Sequence, residues 1–348
     1  MKKWKVGLVG TGFWSEKHLK AWKRMPDVEI VALCNRSRDK LKARAGQFGV
    51  PENRLYTSID DMLTDADPDI VDIVTGPDTH LELVTKAAAA GKQIMCQKPF
   101  APSLEEAERM VEAAEKAGVR LMVTENWRWL QPFQIIKRQL EQGAVGDIRV
   151  IRYIHSDYYT PRMAPGVPLP QPFFREMPRL LFYEMGVHWY DTWRFLFGTP
   201  RCLYARLSRI SPHISGEDTG VVVLTHDGFY GLMDMSWATR HQLDVPLEDA
   251  VMPTHLERMS IDGTEGTLKL HTDGKITLVG KDGMSERVIA ERTELDHEES
   301  HYRLQRHFID CLNTGAEFQT SGRDNLITLK MAFSTYESAA GNVPVDLS

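Results

Sequence analysis

The chain has 348 residues, with a hydrophobic share of 42%, a charged share of 26% and a formal net charge of −6. This balance is typical of a globular protein and excludes a disordered chain, a collagen-like chain and a disulfide scaffold. At about 150 residues per domain, the length predicts two domains. The mildly acidic net charge argues against a nucleic-acid-binding protein.

The sequence carries no feature that is typical of membrane insertion or export. No run reaches the ~18 apolar residues of a transmembrane helix, and the apolar run Val6–Val9 is too short for a signal peptide. The cysteines form no CxxC pair, which is typical of reduced thiols. We therefore expect a cytoplasmic protein with no membrane partner; its cysteines are Cys34, Cys96, Cys202 and Cys311.

Strands and helices alternate over the first 125 residues. Ser103 and Glu106 form a capping box at the start of one helix. Strands separated by helices of this length predict an α/β domain with a parallel, doubly wound sheet. The predicted strands are Lys5–Val9, Glu29–Cys34, Asp69–Thr75, Gln93–Cys96 and Arg120–Thr124, and the predicted helices are Phe13–Arg24, Arg38–Phe48, Leu81–Ala90 and 103–118.

The pattern changes after Glu125. Six prolines between Tyr158 and Pro178 indicate a long ordered loop. Asp-Gly turns then separate short strands, and consecutive hairpins predict a mostly antiparallel sheet. The predicted strands are Val221–Thr225, Tyr230–Trp237, Arg258–Ile261, Thr267–Leu270 and Lys275–Val279; the predicted helices are Phe133–Gln142, Arg179–Phe197, Glu298–Thr314 and Asp324–Ala340.

A glycine turn joins the first predicted strand to the first helix. Glycines there let the backbone approach a pyrophosphate, and the N-terminus of the helix faces the anion. In this strand–turn–helix context the turn indicates dinucleotide binding, although a turn of this kind also occurs in unrelated α/β domains. Its residues are Gly10, Thr11, Gly12, Phe13, Trp14 and Ser15.

The end of the second predicted strand indicates which dinucleotide is bound. NAD-binding domains usually place an acidic residue there for the adenosine ribose, but this chain has the neutral Asn35. Arg36, Ser37 and Arg38 follow, and they suit the 2′-phosphate of NADP. NADP is therefore favoured over NAD; the alternative is that Arg36 stacks on adenine.

Two further segments carry candidate reactive groups. Lys98 directly follows a predicted strand, and ligands of a doubly wound sheet bind at the carboxyl ends of its strands. Spacings of four and three place Glu184, His188 and Asp191 on one face of a predicted helix. Two interpretations of that face stay open: a histidine poised for proton transfer, or a hydrogen-bonded polar network that bridges two domains.

Taken together, these motifs resemble the Gfo/Idh/MocA oxidoreductases, the family of glucose–fructose oxidoreductase and inositol dehydrogenase. The resemblance covers essentially the whole chain. It rests on Gly10-x-Gly12-x-x-Ser15-x-x-His18, Thr75-Gly76-Pro77-Asp78-Thr79-His80, Cys96-Gln97-Lys98-Pro99 and Glu184-x-Gly186-x-His188-x-x-Asp191. Gln97 stands where the family has Glu in its Glu-Lys-Pro motif, and Glu184 replaces the Asp of its Asp-x-Gly-x-His segment.

The resemblance implies a Rossmann domain, assigned here to residues 1–125, and an α+β domain with an open-faced sheet at 126–325. The C-terminal helix and tail at 326–348 are expected to pack back on the Rossmann domain. It also implies an NAD(P)-dependent oxidoreductase that interconverts a secondary alcohol and a ketone on a carbohydrate or cyclitol. A homodimer or homotetramer through the C-terminal sheet is expected.

The resemblance assigns a role to each candidate site residue. Lys98 stabilises the reacting oxygen, His188 exchanges the proton, and Glu184 orients His188 or contacts a neighbouring hydroxyl. Trp127 and Arg128 are expected at the substrate, although core packing is an alternative for Trp127 and Trp129. The expected cofactor contacts are Gly10, Thr11, Gly12, Phe13, Trp14, Asn35, Arg36, Ser37, Arg38, Thr75, Gly76, Pro77, His80, Gln97, Lys98 and Asn126.

Two other features carry no predicted catalytic role. His297-Glu298-Glu299-Ser300-His301 matches the HExxH zinc pattern, but its acidic, polar surroundings favour a helix without metal, and no metal is predicted. The loop from Tyr158 to Arg179 contains Arg162 and Arg175 and is expected to cap the site or to contact a neighbouring subunit.

Two other functions remain open at this stage. One is a nucleotide-binding sensor, which the presence of both Lys98 and His188 argues against. The other is a net non-redox reaction, glycoside cleavage or epimerisation, that proceeds through transient oxidation with a recycled cofactor.

Overall fold

The computed structural model describes residues 3–239 and 257–348. These residues form two compact units. The first unit comprises the described residues of Met1–Trp129 together with His297–Leu329, and the second comprises those of Leu130–Asp296 together with Lys330–Ser348. Neither unit is therefore continuous in sequence, and the observed division differs from the predicted boundaries at 125/126 and 325/326.

The first unit contains a parallel, doubly wound sheet, as predicted. Within the described residues it has six strands, in the order β3-β2-β1-β4-β5-β6. The strands are β1 (Trp4–Val9), β2 (Val28–Cys34), β3 (Leu55–Tyr56), β4 (Ile70–Ile73), β5 (Gln93–Cys96) and β6 (Leu121–Val123). Helices α1 (Ser15–Lys23), α2 (Arg38–Phe48), α3 (Ile59–Asp61), α4 (His80–Ala89) and α5 (Leu104–Lys116) lie between them in sequence.

The second unit contains a mixed sheet. Within the described residues it has nine strands, in the order β14-β13-β12-β11-β7-β10-β9-β8-β15. Helix α6 (Gln131–Glu141) precedes all of these strands in sequence, and helix α7 (Gly186–Phe197) lies between the first and the second of them. The strands are β7 (Ile148–Ser156), β8 (Cys202–Ser208), β9 (Thr219–Thr225), β10 (Tyr230–Ser236), β11 (Glu257–Gly263), β12 (Gly266–Leu270), β13 (Ile276–Gly280), β14 (Glu286–Ala290) and β15 (Val345–Asp346).

The central strand β7 was not predicted from the sequence. It pairs in parallel with β10 and antiparallel with β11. A parallel pair in the middle of the sheet makes it mixed, although all seven other pairs of the described strands are antiparallel. The hairpin pattern predicted only the antiparallel part, because hairpins join neighbouring segments and β7 pairs with strands far along the chain.

Helix α8 (His297–Thr314) belongs to the first unit. Its Leu304 and Phe308, four residues apart on one face, are fully buried in a cluster with Val6, Ile70 and Met95 of the sheet. This packing of apolar surface explains why α8 groups with the first unit and not with the domain predicted at 126–325.

The last helix, α9 (Gly322–Gly341), contains the division between Leu329 and Lys330. The hydroxyls of Thr335 and Tyr190 form a hydrogen bond within the second unit. Strand β15 then pairs with β8, with Val345 opposite Leu203. Residues 330–348 are therefore part of the second unit, whereas the sequence grouped 326–348 as one segment; the packing of that segment on the Rossmann domain stays a prediction.

Along the two described stretches of chain, no helix is both long enough and apolar enough to cross a membrane.

Candidate active site

The glycine turn between β1 and α1 fits a pyrophosphate. Gly10 has φ +99°, and a Cβ there would collide with the backbone carbonyl of Val74, so only glycine is suitable. At Gly12 a Cβ would meet no atom within 4 Å, which leaves the backbone open to a ligand. The hydroxyl of Ser15 donates to the carbonyl of Gly12 at 2.7 Å and closes the turn. Thr11 is buried, and its hydroxyl has no hydrogen-bond partner among the described residues.

The segment after β2 lies beside this turn, since the Gly10 N–H donates to the Cys34 carbonyl at 2.8 Å. The Ser37 hydroxyl caps α2 by accepting from the Lys40 N–H at 3.4 Å, and the Asn35 amide donates to the Ser37 carbonyl at 3.4 Å. Arg36 and Arg38 are exposed. The structure therefore brings the predicted ribose-binding residues together next to the glycine turn.

The side chain of His80 supports the loop Thr75–Thr79. The His80 ring is fully buried, with Nδ1 2.9 Å from the Phe100 carbonyl oxygen and Nε2 3.2 Å from the Thr75 carbonyl oxygen. Burial lowers the pKa of His80, although both carbonyls favour its charged form. His80 therefore supports the loop, and Thr75, Gly76 and Pro77 remain the predicted cofactor contacts there.

Lys98 lies two residues after the end of β5, the fifth strand in the order of the parallel sheet. It is 7% exposed, and Gln97 before it is 6% exposed. The backbone N–H of Lys98 donates to the side-chain oxygen of Gln97 at 2.7 Å. A buried ammonium at the carboxyl end of a strand is suited to bind a developing negative charge.

Residues after β6 contact the late helices of the same unit. The Asn126 side chain donates to the Ser300 hydroxyl at 2.7 Å. The buried Arg128 guanidinium donates to the Gln319 carbonyl at 3.1 Å and lies 3.9 Å from the Asp324 carboxylate. A buried cation needs acceptors, so these contacts explain how Arg128 is accommodated. The predicted ligand contacts of Arg128 and Asn126 stay predictions.

Trp127 is also buried, with its ring centroid 6.1 Å from that of His297. The packing interpretation of Trp127 therefore has direct support, and its expected contact with the substrate stays a prediction.

The candidate proton-transfer segment combines two kinds of helix. Leu181–Met185 is a π-helix and Gly186–Phe197 is α-helical, where a single α-helix was expected. Glu184 lies in the π-helical turn, and His188 and Asp191 lie three residues apart in α7. All three are buried, at 7%, 3% and 0% exposed. A π-helical turn inside a longer helix is often found at functional sites.

Three residues near the end of β7 lie close to this segment and were missed in the sequence. The ring centroids of His155 and Trp189 are 5.0 Å apart. Burial raises the pKa of Asp157. Burial also raises the pKa of Tyr159, and the negative charges of Glu184 and Asp157 add to that shift. The sequence signal that could have identified them is a polar residue at every second position, 155, 157 and 159. Such residues share one face where a strand ends.

Arg175 stabilises the proline-rich loop by hydrogen bonds to its backbone. Its guanidinium donates to the carbonyls of Met163, Ala164 and Val167 at 2.9, 3.0 and 2.7 Å. The Arg179 guanidinium lies over the Phe333 ring, 5.2 Å from its centroid. Both arginines therefore stabilise the second unit itself.

Glu217 anchors the π-helical turn that carries Glu184. Its buried carboxylate accepts from the Leu180 N–H at 3.2 Å and the Phe182 N–H at 2.9 Å. The Tyr336 hydroxyl donates to the same carboxylate at 2.6 Å. Glu217 therefore satisfies N–H groups at the start of the turn, which otherwise have no helical acceptor.

Replacing Glu217 by glutamine is expected to destabilise the protein by about 1.5–3 kcal/mol, because charge-assisted bonds become neutral ones and an amide N–H faces a backbone N–H. In a unit of this size that loss corresponds to a Tm lower by about 3–12 °C. Thermal unfolding measures it, with Glu176→Gln as the matched control because Glu176 is exposed. Equal Tm values for the two variants would show that Glu217 anchors nothing.

The HExxH segment packs inside the first unit. His301 stacks on Trp14, with ring centroids 5.8 Å apart, and its Nδ1 lies 2.6 Å from the His297 carbonyl oxygen. Among residues 3–239 and 257–348, no three His, Cys, Asp or Glu side chains are grouped so that they could hold a metal ion.

Comparison with known families matches both units. Residues 4–125 match the model described as "Oxidoreductase family, NAD-binding Rossmann fold". Residues 133–269 match the model described as "GFO/IDH/MocA C-terminal domain".

Individual proteins match over the full chain. The D-apiose dehydrogenase of Paraburkholderia graminis is 38% identical, with coverage of 100% of this chain and 90% of the relative. The D-apiose dehydrogenase of Rhizobium rhizogenes is 36% identical, with coverage of 100% and 98%. The crystal structure of an oxidoreductase from Agrobacterium radiobacter, in complex with NAD+, L-tartaric acid and magnesium, aligns with a TM-score of 0.89 at 34% identity and covers 99% of both chains. The chain is therefore an enzyme of the Gfo/Idh/MocA oxidoreductase family, with an NAD-binding Rossmann domain.

Proposed function

We propose that this enzyme is an NAD(P)-dependent dehydrogenase that interconverts a secondary alcohol and a ketone on a sugar, sugar acid or cyclitol. The observation that carries the proposal is the buried Lys98 at the carboxyl end of β5, in the same sheet whose first turn fits a pyrophosphate. Two full-length relatives are named D-apiose dehydrogenases, which makes D-apiose the first sugar to test.

The first unit is proposed to hold the cofactor. The glycine turn Gly10–Trp14 receives the pyrophosphate, with the Thr11 hydroxyl as a further donor, and Asn35–Arg38 receive the adenosine ribose. Thr75–Pro77 and Gln97 complete the contacts. When bound, the nicotinamide supplies the acceptor or donor of a hydride.

Lys98 and His188 are proposed to handle the alcohol oxygen and its proton. In the oxidation, the C–H and O–H bonds of the alcohol break and the C=O bond of the ketone forms. The hydride would pass to the nicotinamide, and the proton to the neutral imidazole of His188. The Lys98 ammonium donates to the oxygen and stabilises the negative charge that develops on it. Glu184 orients His188 or accepts from a neighbouring substrate hydroxyl.

A substrate panel tests the proposal. D-apiose, other aldoses, sugar acids and inositols are each incubated with NAD+ and with NADP+, and the reduced nicotinamide is followed by absorbance. Formation of reduced cofactor in proportion to product supports a simple dehydrogenase. Product without net cofactor reduction would instead support cleavage or epimerisation through transient oxidation, and no turnover of any carbohydrate would contradict the proposal.

The preference for NADP is also proposed, on the chemistry of the segment after β2. Asn35 brings no negative charge to the ribose, and the exposed guanidinium groups of Arg36 and Arg38 suit a phosphate. Ser37 keeps a hydroxyl proton to donate while its oxygen caps α2. The solved relative contains NAD+, so the preference needs a direct test.

Replacing Arg36 by alanine is expected to weaken NADP binding by about 10- to 150-fold, which corresponds to one charge-assisted contact of ~1.5–3 kcal/mol. NAD binding should change little. Asn35→Asp should shift the preference towards NAD, because a carboxylate repels the 2′-phosphate. Calorimetric titration with both cofactors measures this, with Lys42→Ala as an exposed control on α2. Equal losses for both cofactors would show that no phosphate is bound there.

A further inference from the structure

A buried chain of hydrogen bonds leads from the interior of the first unit to the backbone of Lys98. The fully buried Asp72 carboxylate accepts from the Trp22 indole N–H at 2.7 Å, and His18 Nδ1 lies 2.9 Å from the same oxygen. On the other side of the ring, His18 Nε2 lies 3.2 Å from the side-chain nitrogen of Gln97. The Gln97 oxygen accepts from the Lys98 N–H at 2.7 Å. We call Asp72, His18 and Gln97 the Lys98 support network.

The donors and acceptors of this network determine the protonation of His18. A backbone N–H only donates, so the Gln97 atom that faces Lys98 is the oxygen. The Gln97 amide nitrogen therefore faces His18, and because it also only donates, the His18 Nε2 must be unprotonated. The proton of the neutral imidazole is then on Nδ1, where Asp72 accepts it.

Two other titratable groups lie next to the network. The His301 ring, from α8, has its centroid 5.0 Å from that of His18. Burial raises the pKa of the Cys96 thiol, and the charge of Asp72 adds to the shift, so Cys96 stays neutral. Within the network itself, the negative charge therefore lies on Asp72, two hydrogen bonds away from Gln97.

A glutamate at position 97, which the resemblance gives as the usual family residue, changes this arrangement. A carboxylate cannot donate to His18, so His18 must donate from both nitrogens and carry a positive charge between two carboxylates. The net charge of the network stays at minus one. Loss of the additional proton at alkaline pH would leave two negative charges in a buried site, which is strongly unfavourable.

We propose that Asp72, His18 and Gln97 are positioning residues for Lys98, and that glutamine at position 97 avoids the additional ionisation that a glutamate there would bring. The inference rests on the proposed role of Lys98 in oxidation. Gln97 would then position Lys98, in addition to any contact that it makes with the cofactor.

Nitrogen NMR of the histidine rings in the whole protein tests the protonation states without any turnover. In the wild-type enzyme, His18 should be the neutral Nδ1–H tautomer, because the Gln97 amide donates to its Nε2. In Gln97→Glu it should be doubly protonated at neutral pH. A wild-type His18 that is protonated on Nε2 would overturn the inference even if the variant failed to fold.

The pH profile of kcat tests the link to Lys98. Gln97→Glu should add one ionisation on the alkaline side, above which kcat falls about tenfold per pH unit relative to wild type. The matched control is Gln93→Glu on the same strand, whose oxygen likewise accepts a backbone N–H, that of Arg120, at 3.0 Å. This control should add no ionisation.

The two proposals fail in different ways. A wild-type enzyme that oxidises a carbohydrate, together with a Gln97→Glu profile identical to wild type, would overturn the positioning role alone. A wild-type enzyme that oxidises no carbohydrate would overturn the proposed function. The NMR measurement would still test the protonation of His18, because it needs no turnover.

Discussion

Replacing Lys98 by methionine is expected to lower kcat by about 10²–10³-fold and to leave dinucleotide binding near the wild-type value. Methionine keeps much of the length of the side chain in this buried position but removes the donor that stabilises charge on the reacting oxygen, and the loss of one such donor typically has this effect. Steady-state kinetics give kcat, and calorimetric titration gives the cofactor Kd.

The control for this variant is Lys92→Met. Lys92 belongs to the same unit but forms an ion pair with the exposed Asp67, so its loss should not affect turnover. A Lys98→Met enzyme with a kcat close to wild type would rule out the proposed role of Lys98.

His188→Asn is expected to slow oxidation by about 10²–10⁴-fold and to flatten the acidic side of its pH profile. The wild-type enzyme should lose oxidation activity as the pH falls, because only the neutral imidazole accepts the alcohol proton. Reduction in the opposite direction should need the protonated imidazole and show the opposite trend. Rates in both directions across the pH range measure this, with His213→Asn, a partly exposed histidine of the second unit, as the control.

Two other outcomes would reassign the roles in the second unit. If His188 only binds a substrate hydroxyl, its replacement should raise KM with kcat nearly unchanged, because uniform binding affects the ground and transition states alike. If the acidic side of the profile survives in His188→Asn, the base is another group. Glu184, in the buried π-helical turn before α7, would then be the first candidate.

Local signals predicted the elements of the first unit well. Helix α2 (Arg38–Phe48) and strand β5 (Gln93–Cys96) have the predicted bounds, and the Ser103 side chain accepts from the Glu106 N–H as the capping box requires. Each of these features depends on residues close in sequence. The central strand β7 was missed although five of its nine residues are Ile, Val or Tyr, which favour strands. The hairpin signals marked only strands that follow one another in sequence, and β7 pairs with the later strands β10 and β11.

The same distinction applies to the candidate site. The glycine turn and the position of Lys98 follow from short strand–turn segments, and the structure places them as expected. Nothing in the sequence indicated the partners of Arg128 and Asn126, because Gln319 and Ser300 lie 191 and 174 residues further along the chain. The π-helical turn at Glu184 is set by Glu217, which a helical-face argument from spacing does not include.

The central claim is that the enzyme removes a hydride from a carbohydrate carbon and passes it to nicotinamide, and isotope transfer tests it most directly. A sugar found active in the substrate panel is labelled with deuterium at the carbon to be oxidised, and the cofactor and product are examined by mass spectrometry after turnover. The account predicts one deuterium on the reduced nicotinamide and none at the oxidised carbon of the product. Deuterium that stays in the product or is lost to water, with none on the released cofactor, would contradict it.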